Sequence, residues 1–431
     1  VATGLIGFVD SVIAGHHGTA TLAGVAVGTA IFWLPLMVPM GTLMAVPPSV
    51  SQLDGEGRHA EVGPLFRQAL WLAAGLGLAL FGLLTALAAG LGPFGIAPDI
   101  VPGATAFLHG IRWGVPALTL YFCMRYLSDG LHWTLPTMVF GFGGLAVLVP
   151  MGYALAFGWG PFPEGGAGGL GIASAIMMWT QSIAFALYLA LSKRFARYQL
   201  FTRFDPPRWT EIRALLRTGL PIGVTVTMEG SLFVVTALLI GRLGEIEAAA
   251  HQIAINVAAL CFMVPFGLAE ATTVRVGNAI GRGLGSAGVR RAGFAGLTLV
   301  LVTQTVSGVL LLLGHDHVVR IYTEDAAVAA LAGSLLLYAA AFQFPDGIQA
   351  LSAGALRGLK DTRVPMFLAA AAYWGVGMAL GATLGLGLGW GPKGMWIGLI
   401  AGLTVAAVLL GTRFLRSSRR VPAPTLDPTA Q

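Results

Sequence analysis

The sequence predicts an all-α integral membrane protein, with twelve transmembrane helices in two pseudo-symmetric six-helix lobes around a central cleft. Three observations lead there: the hydropathy of the chain, the placement of its basic residues and an internal repeat. Of 431 residues, 56% are hydrophobic and 10% are charged, whereas about one quarter of an average soluble domain is charged. That balance excludes an ordinary soluble enzyme. The 61 glycines agree, because Gly lets neighbouring membrane helices approach closely.

A helix needs about 20 apolar residues to cross the hydrocarbon core. Runs of this kind fall near 1–15, 20–46, 66–90, 105–128, 136–158 and 168–192, and again near 213–241, 247–270, 290–314, 330–355, 365–388 and 393–415. Alternate connections then collect nearly all the basic residues: Arg58, Arg67 and Arg125, the run from Lys193 through Arg194, Arg197, Arg203, Arg208 and Arg213 to Arg217, the group Arg275, Arg282, Arg290 and Arg291, the group Arg357, Lys360 and Arg363, and the tail Arg413, Arg416, Arg419 and Arg420. The opposite side keeps Arg112, Arg242, Arg320 and Lys393. The positive-inside rule makes the basic side cytoplasmic, with both termini inside. This distribution, rather than nucleic acid, accounts for the net charge of +6.

The first run is short and carries Asp10 without a basic start, so it reads as a shortened first helix and not as a signal peptide. Cys123 and Cys261 lie in apolar runs and read as structural thiols, with no disulfide framework or metal spacing.

A gapless shift of 226 residues lays Ile13–Gly41 over Leu239–Gly267. Gly15 and Gly18 fall on Gly241 and Gly244, and Met37, Val38, Pro39 and Gly41 fall on Met263, Val264, Pro265 and Gly267. Further on, Gly55 and Gly57 fall on Gly281 and Gly283. At a shift of 228, Gly130, Leu131 and Thr134 fall on Gly358, Leu359 and Thr362. Shared Pro and Gly in fixed register set this apart from chance likeness between apolar helices. The organisation expected is an N-terminal lobe (1–192), a basic cytoplasmic linker (193–212), a C-terminal lobe (213–415) and a disordered tail (416–431). An even number of helices per lobe gives the two repeats the same orientation, related by an axis along the membrane normal.

Asp10, Glu229 and Asp346 fall inside apolar segments 1, 7 and 10. An ionised acid at the bilayer centre costs roughly 2.5–3.5 kcal/mol on insertion scales, so such residues face water, a cavity or a partner. No Lys or Arg of the sequence falls at comparable depth, which leaves a proton, a metal cation or a cationic substrate as the partner. A protonated acid bonded to a backbone carbonyl is the alternative. Glu270, near the cytoplasmic end of segment 8, is ambiguous. Gln252 and Asn256 share a helix face, and Gln181 and Thr180 interrupt segment 6. Helix-to-helix hydrogen bonding and cavity lining remain alternatives for them. Phe233 lies one turn after Glu229 and Phe342 one turn before Asp346, where a ring suits an organic cation or packs in the core. Pro345 removes a helix hydrogen bond beside Asp346.

The stretches that carry these acids are long: VDSVIAG around Asp10, MEGSLFVVTALLIGRLG around Glu229, AAHQIAIN followed by MVPFGLAEATTVRVGNAIGRG, and PDGIQALSAGALRGLKDTRVPM around Asp346. In them, and along nearly the whole chain, the sequence resembles the multidrug and toxic compound extrusion (MATE) transporters of the bacterial NorM-type branch. The resemblance implies a monomer of the bacterial plasma membrane that exports hydrophobic organic cations in exchange for Na⁺ or H⁺, with no other cofactor. It implies cation coupling at Asp10, Glu229 and Asp346, with Na⁺ held by Glu229 and Asp346 if sodium is the coupling ion. Three departures are the short N-terminus, HWTLPTM, which lacks the Arg that TRVPM keeps at Arg363, and the unusual Glu270.

ATP as the energy source is disfavoured, since no GxxxxGK[ST] loop occurs, and a zinc hydrolase is disfavoured because HExxH is absent. A lipid-linked saccharide flippase of related architecture is the nearest rival, but it would be expected to line its cavity with Arg and Lys. An intramembrane enzyme would need a nucleophile, base or metal cluster that the sequence does not offer.

Overall fold

The computed structural model describes residues 2–92, 97–159 and 161–422, with side chains from Ile6 onward. Of the tail expected to be disordered (416–431), residues 416–419 are helical as the end of α15, and 423–431 lie outside the described residues. All the regular structure among them is helical, as hydrocarbon requires, since a helix satisfies every backbone donor and acceptor within its own segment.

The first six crossings are α1 (Ala2–His17), α2 (Thr19–Leu43) continued by α3 (Val46–Gly55), α4 (His59–Ala89), the pair α5 (Val101–Ile111) and α6 (Val115–Gly130), α7 (Leu135–Phe157) and α8 (Gly166–Leu191). The second six are α9 (Trp209–Gly241), α10 (Glu245–Gly281), α11 (Gly285–Tyr322), α12 (Ala326–Gly358), the broken helix that begins with α13 (Arg363–Ala370) and includes α14 (Ala379–Ala382), and α15 (Gly391–Arg419). Ten of these twelve crossings are long and apolar enough by themselves to span a membrane. The other two are α1 and the α5–α6 pair, which a 3₁₀ turn at Arg112–Gly114 interrupts. Pro116, at the start of α6, has no N–H to give to the preceding turn, so the helix restarts there.

Helix ends extend beyond the apolar runs. α11 is about 57 Å long at 1.5 Å per residue, against a hydrocarbon core of about 30 Å. The polar stretch after Leu313 continues as helix, and α12 then starts at an Asp cap. The Asp325 carboxylate accepts from the backbone N–H groups of Ala327 and Val328 at 2.8 and 2.9 Å, which satisfies two otherwise unpaired donors.

The repeat seen in the sequence recurs in the backbone. Gly18 precedes α2 with φ 149°, and its repeat partner Gly244 precedes α10 with φ 153°. Gly57 (φ 73°) and Gly283 (φ 63°) form a second such pair, and at the shift of 228 His132 (φ 60°) matches Lys360 (φ 56°). Left-handed backbone is uncommon outside Gly, so its recurrence at the same repeat positions marks two copies of one design.

Contacts divide the chain into two compact units. One holds residues 1–53 and 58–223, and the other holds 54–57 and 224–431. The division falls inside α9, because its first half packs on the end of α2: a Cβ at Gly223 would stand 2.6 Å from the Val38 carbonyl oxygen, and one at Gly219 would overlap Thr42.

Of the stretch 193–212, expected as a linker, residues 193–208 are anchored within the first unit and 209–212 already belong to α9. Arg67 of α4 is buried and donates through Nε to Asp205 at 2.7 Å and through Nη1 to the carbonyls of Gln199 and Leu200. Gln68 donates to the Pro206 carbonyl and accepts from the Arg208 N–H. Trp71 gives its indole N–H to the Asp205 carbonyl at 3.0 Å.

In the second unit, α15 meets the helix before it through glycines four residues apart on each side. Gly394, Gly398 and Gly402 face Gly385, Gly381 and Gly377. A Cβ on Gly398 would come within 2.3 Å of the Gly381 Cα, so the two backbones touch. Without a hydrophobic drive between helices in lipid, such close packing is what joins them. The facing helix is π-helical at Ala371–Met378 and Thr383–Gly387.

Two outcomes are expected. Gly398→Ala should lower stability in detergent by about 1–3 kcal/mol through overpacking, while Gly375→Ala, which meets nothing within 4 Å, should not; thermal unfolding of both variants decides. Asp205→Asn should raise tryptic cleavage at Arg203 and Arg208 several-fold. The Arg67 guanidinium holds the Asp205 carboxyl below its usual range, so the anchor is fully present at neutral pH. It begins to weaken near the ordinary carboxylate value of about 4 and is lost as the pH falls through the depressed value. Cleavage by an acid-active protease across that window measures it.

Candidate functional site

The second unit brings Glu229 and Asp346 to one place. Asp346 lies mid-way along α12, which runs through Pro345 without interruption. Gln349 is one turn further on the same face. Its amide nitrogen donates to Glu229 Oε1 of α9 at 2.7 Å and, at 3.5 Å, reaches Asp346 Oδ1. The amide oxygen accepts from the Tyr373 hydroxyl at 2.7 Å. One neutral side chain therefore serves both carboxylates, and the tyrosine fixes which way its amide points.

Asp346, Gln349 and Tyr373 are buried, and Glu229 is half-buried. Tyr373 belongs to the π-helical stretch Ala371–Met378, whose next residue, Trp374, gives its indole N–H to the Met228 carbonyl at 3.4 Å. Wide turns of this kind often mark functional positions.

One expectation from the sequence needs correction. Arg357, three turns past Asp346 on α12, is itself buried, at 8% exposure, and its charge acts on Glu229. A basic residue is therefore within electrostatic reach of Glu229. Assigning it to a loop by hydropathy hid this, because α12 continues to Gly358 and carries Arg357 into the packed part of the unit.

Asp10 belongs to the first unit. It is 2% exposed, accepts from the Ser174 hydroxyl of α8 at 3.0 Å through Oδ2, and presents Oδ1 with no hydrogen-bond partner among the described residues. A small cavity beside it is lined by Ile6, Thr29, Phe32, Trp33 and Phe107 among others.

The polar and aromatic candidates separate. Gln181 donates to the carbonyls of Phe140 and Gly141 on α7 at 2.9 and 3.3 Å, in a gap left by Gly144. Gln252 donates to Asn256 at 3.0 Å, and both are exposed on α10. Phe342 is fully buried in the core of the second unit. It meets Phe233 edge to face with centroids 6.1 Å apart and Trp396 at 5.6 Å. Trp396 donates to Nδ1 of buried His251 at 3.2 Å.

Gln349, Tyr373 and Ser174 were not singled out from the sequence. Gln349 had a signal, its i+3 spacing from Asp346. Tyr373 and Ser174 had none, being single polar residues in apolar runs distant in the chain.

The profile of the family described as MatE matches residues 2–154 and 221–383. The chain belongs to the MatE family. Among relatives of this MatE protein, one of Xanthomonas campestris pv. campestris named "Probable multidrug resistance protein NorM" is 70% identical over 423 residues, covering 98% of this chain and 92% of its own. "Multidrug resistance protein PmpM" of Pseudomonas aeruginosa is 42% identical over 427 residues, covering 97% and 89%. The fold also matches solved structures at low identity. The eukaryotic MATE transporter AtDTX14 superposes with a TM-score of 0.85 at 20% identity, covering 97% of this chain and 94% of that one. An outward-facing MATE transporter of the MOP superfamily gives 0.86 at 17%, covering 97% and 93%. Membership makes this a multi-pass membrane protein of a multidrug transporter family.

Removing the shared donor should be costly. Tyr373→Phe deprives the buried Gln349 oxygen of its partner, a loss of about 1–3 kcal/mol, and Gln349→Leu should cost at least as much. Thermal unfolding of the two single variants and the double variant checks this: strong non-additivity is expected for residues in one network.

Proposed function

We propose that this MatE protein exports hydrophobic organic cations across the bacterial plasma membrane by alternating access, in exchange for Na⁺ or H⁺, as a monomer with both termini in the cytoplasm. The observation that carries the reading is the pair Glu229 and Asp346, joined through the single amide of Gln349 inside apolar helices. Two carboxylates that share one neutral donor, with one guanidinium acting on Glu229, hold more negative charge than these offset, and a mobile cation supplies the difference. The oxygens of Glu229, Asp346 and Tyr373 are hard ligands suited to Na⁺, and the same carboxylates can take a proton instead.

In this reading Glu229 and Asp346 form the core of a coupling-ion site in the second unit, and Asp10, in the first unit, is a third acid with Oδ1 open to a proton or cation. Gln252 and Asn256, exposed side by side on α10, offer donor and acceptor groups to a substrate. Phe233 and Phe342 pack behind them in the core of the second unit, and Gln181 ties α8 to α7 in the first. A ligand shifts a conformational equilibrium only through its different affinity for the two states. Exchange therefore needs ion and drug to prefer different states, and their competition for the same negative charge then makes each displace the other. The multidrug resistance names of the relatives support organic drugs as the cargo.

Glu229→Gln and Asp346→Asn should each abolish gradient-driven ethidium efflux from proteoliposomes, by at least about ten-fold, with unchanged insertion. Imposing a sodium gradient and a proton gradient separately identifies the ion. Normal gradient-driven efflux in both variants refutes the coupling assignment.

A further inference from the structure

The strap 193–208 carries more charge and more exposed aromatic surface than a connection requires. Its one buried acid, Asp205, is held by Arg67 at 2.7 Å on one oxygen and by Arg203 at 3.1 Å on the other, and Arg208 is near enough to act on it as well. Three guanidinium groups around one carboxylate leave an excess of two positive charges. Arg67 is fully engaged, with Asp205 and two carbonyls. The excess therefore resides on Arg203, which is 63% exposed, and on exposed Arg208.

Beside these cations the strap displays rings. Phe204 is 78% exposed and meets Trp71 of α4 edge to face at 5.9 Å. Phe201 lies against Phe66 in the same way at 5.7 Å, and Trp209 is exposed at the start of α9. The anchor fixes this display: the Trp71 indole is bonded to the Asp205 carbonyl, and the Arg208 N–H to Gln68. In water such rings would be costly to expose, while at the level of lipid headgroups aromatic side chains are favoured. Cations and rings on one rigid segment next to a membrane helix match a single ligand chemistry, a phosphate bearing acyl chains.

We propose that the strap is a binding site for an anionic phospholipid, with the phosphate between Arg203 and Arg208 and an acyl chain along Phe204 and Trp71. The proposal is independent of what the protein transports and of which ion drives it. The lipid would brace the strap, and through it the start of α9, against the bilayer surface.

The test uses the full-length protein in nanodiscs of phosphatidylcholine with and without phosphatidylglycerol, followed by native mass spectrometry of the retained lipid and thermal unfolding. The wild type is expected to retain phosphatidylglycerol selectively and to melt at a higher temperature when it is present. Arg203→Gln with Arg208→Gln should lower that retention on the order of ten-fold, and Phe204→Ser should lower it as well. Arg419→Gln with Arg420→Gln removes two exposed cations elsewhere and should leave retention unchanged. Unaltered resistance of the strap to chymotrypsin, which cuts after Phe201 and Trp209 and needs neither arginine, shows that the variants keep the Arg67 anchor. Undiminished retention in the Arg203/Arg208 variant overturns the proposal, and so does equal loss in the Arg419/Arg420 control, which would show that any basic surface suffices. Stabilisation by inorganic phosphate equal to that by phosphatidylglycerol would also overturn it, since the acyl chain would then play no part.

Discussion

An ionised carboxylate among apolar helices has lost the hydration that stabilises it in water, and whatever surrounds it must offer charge or hydrogen-bond donors in return. Glu229 and Asp346 set that requirement in the second unit, and much of the local architecture answers it. Gln349 divides one amide between them, and Tyr373 holds the amide in position. The π-helical stretch carries Tyr373 to that point and ties its neighbour Trp374 to the backbone beside Glu229. Arg357 adds a positive charge further along α12. Rigid placement of α12 follows from its other contacts: Phe342 is locked between Phe233 and Trp396 in the core. The donors remain fewer than two full charges need.

The same solvent dictates how the helices meet. Lipid tails are as apolar as Leu, so side-chain hydrophobicity does little to hold two helices together, and contact quality decides. The paired glycines of α15 and the helix preceding it bring backbone to backbone, and Gly381 and Gly398 sit where a single added carbon has no room. Polar side chains inside the bundle supply other links. Gln304 donates to the carbonyl and the side chain of Gln343, Thr273 donates to the Gly354 carbonyl, and Gln181 bonds the carbonyls of α7. For Gln181 the geometry is that of a helix-to-helix tie, whereas Gln252 and Asn256 bond each other and stay exposed.

The strap at 193–208 obeys the opposite rule, because it lies where water is available. Its charges are numerous and its single acid is heavily outnumbered. Order there comes from one buried ion pair with well-matched geometry, Arg67 with Asp205, reinforced by carbonyls that accept the rest of the guanidinium. The rings on the same segment meet α4 edge to face and still stay largely exposed.

Much of this was legible in the chain by itself. Hydropathy gave the twelve crossings, since spanning length is a property of consecutive residues, and the register of Gly and Pro gave the two copies, later visible as left-handed backbone at Gly18 and Gly244. Isolated acids in apolar runs marked Asp10, Glu229 and Asp346, because their cost is local and needs no neighbour to be recognised. Partners were not legible. Gln349 meets Glu229 across 120 residues of chain, Ser174 meets Asp10 across 164, and Arg67 reaches Asp205 across 138. No periodicity encodes such pairings. Burial of an acid is written in its own helix, but the groups that satisfy it are chosen when separate helices pack, and that choice belongs to the tertiary structure.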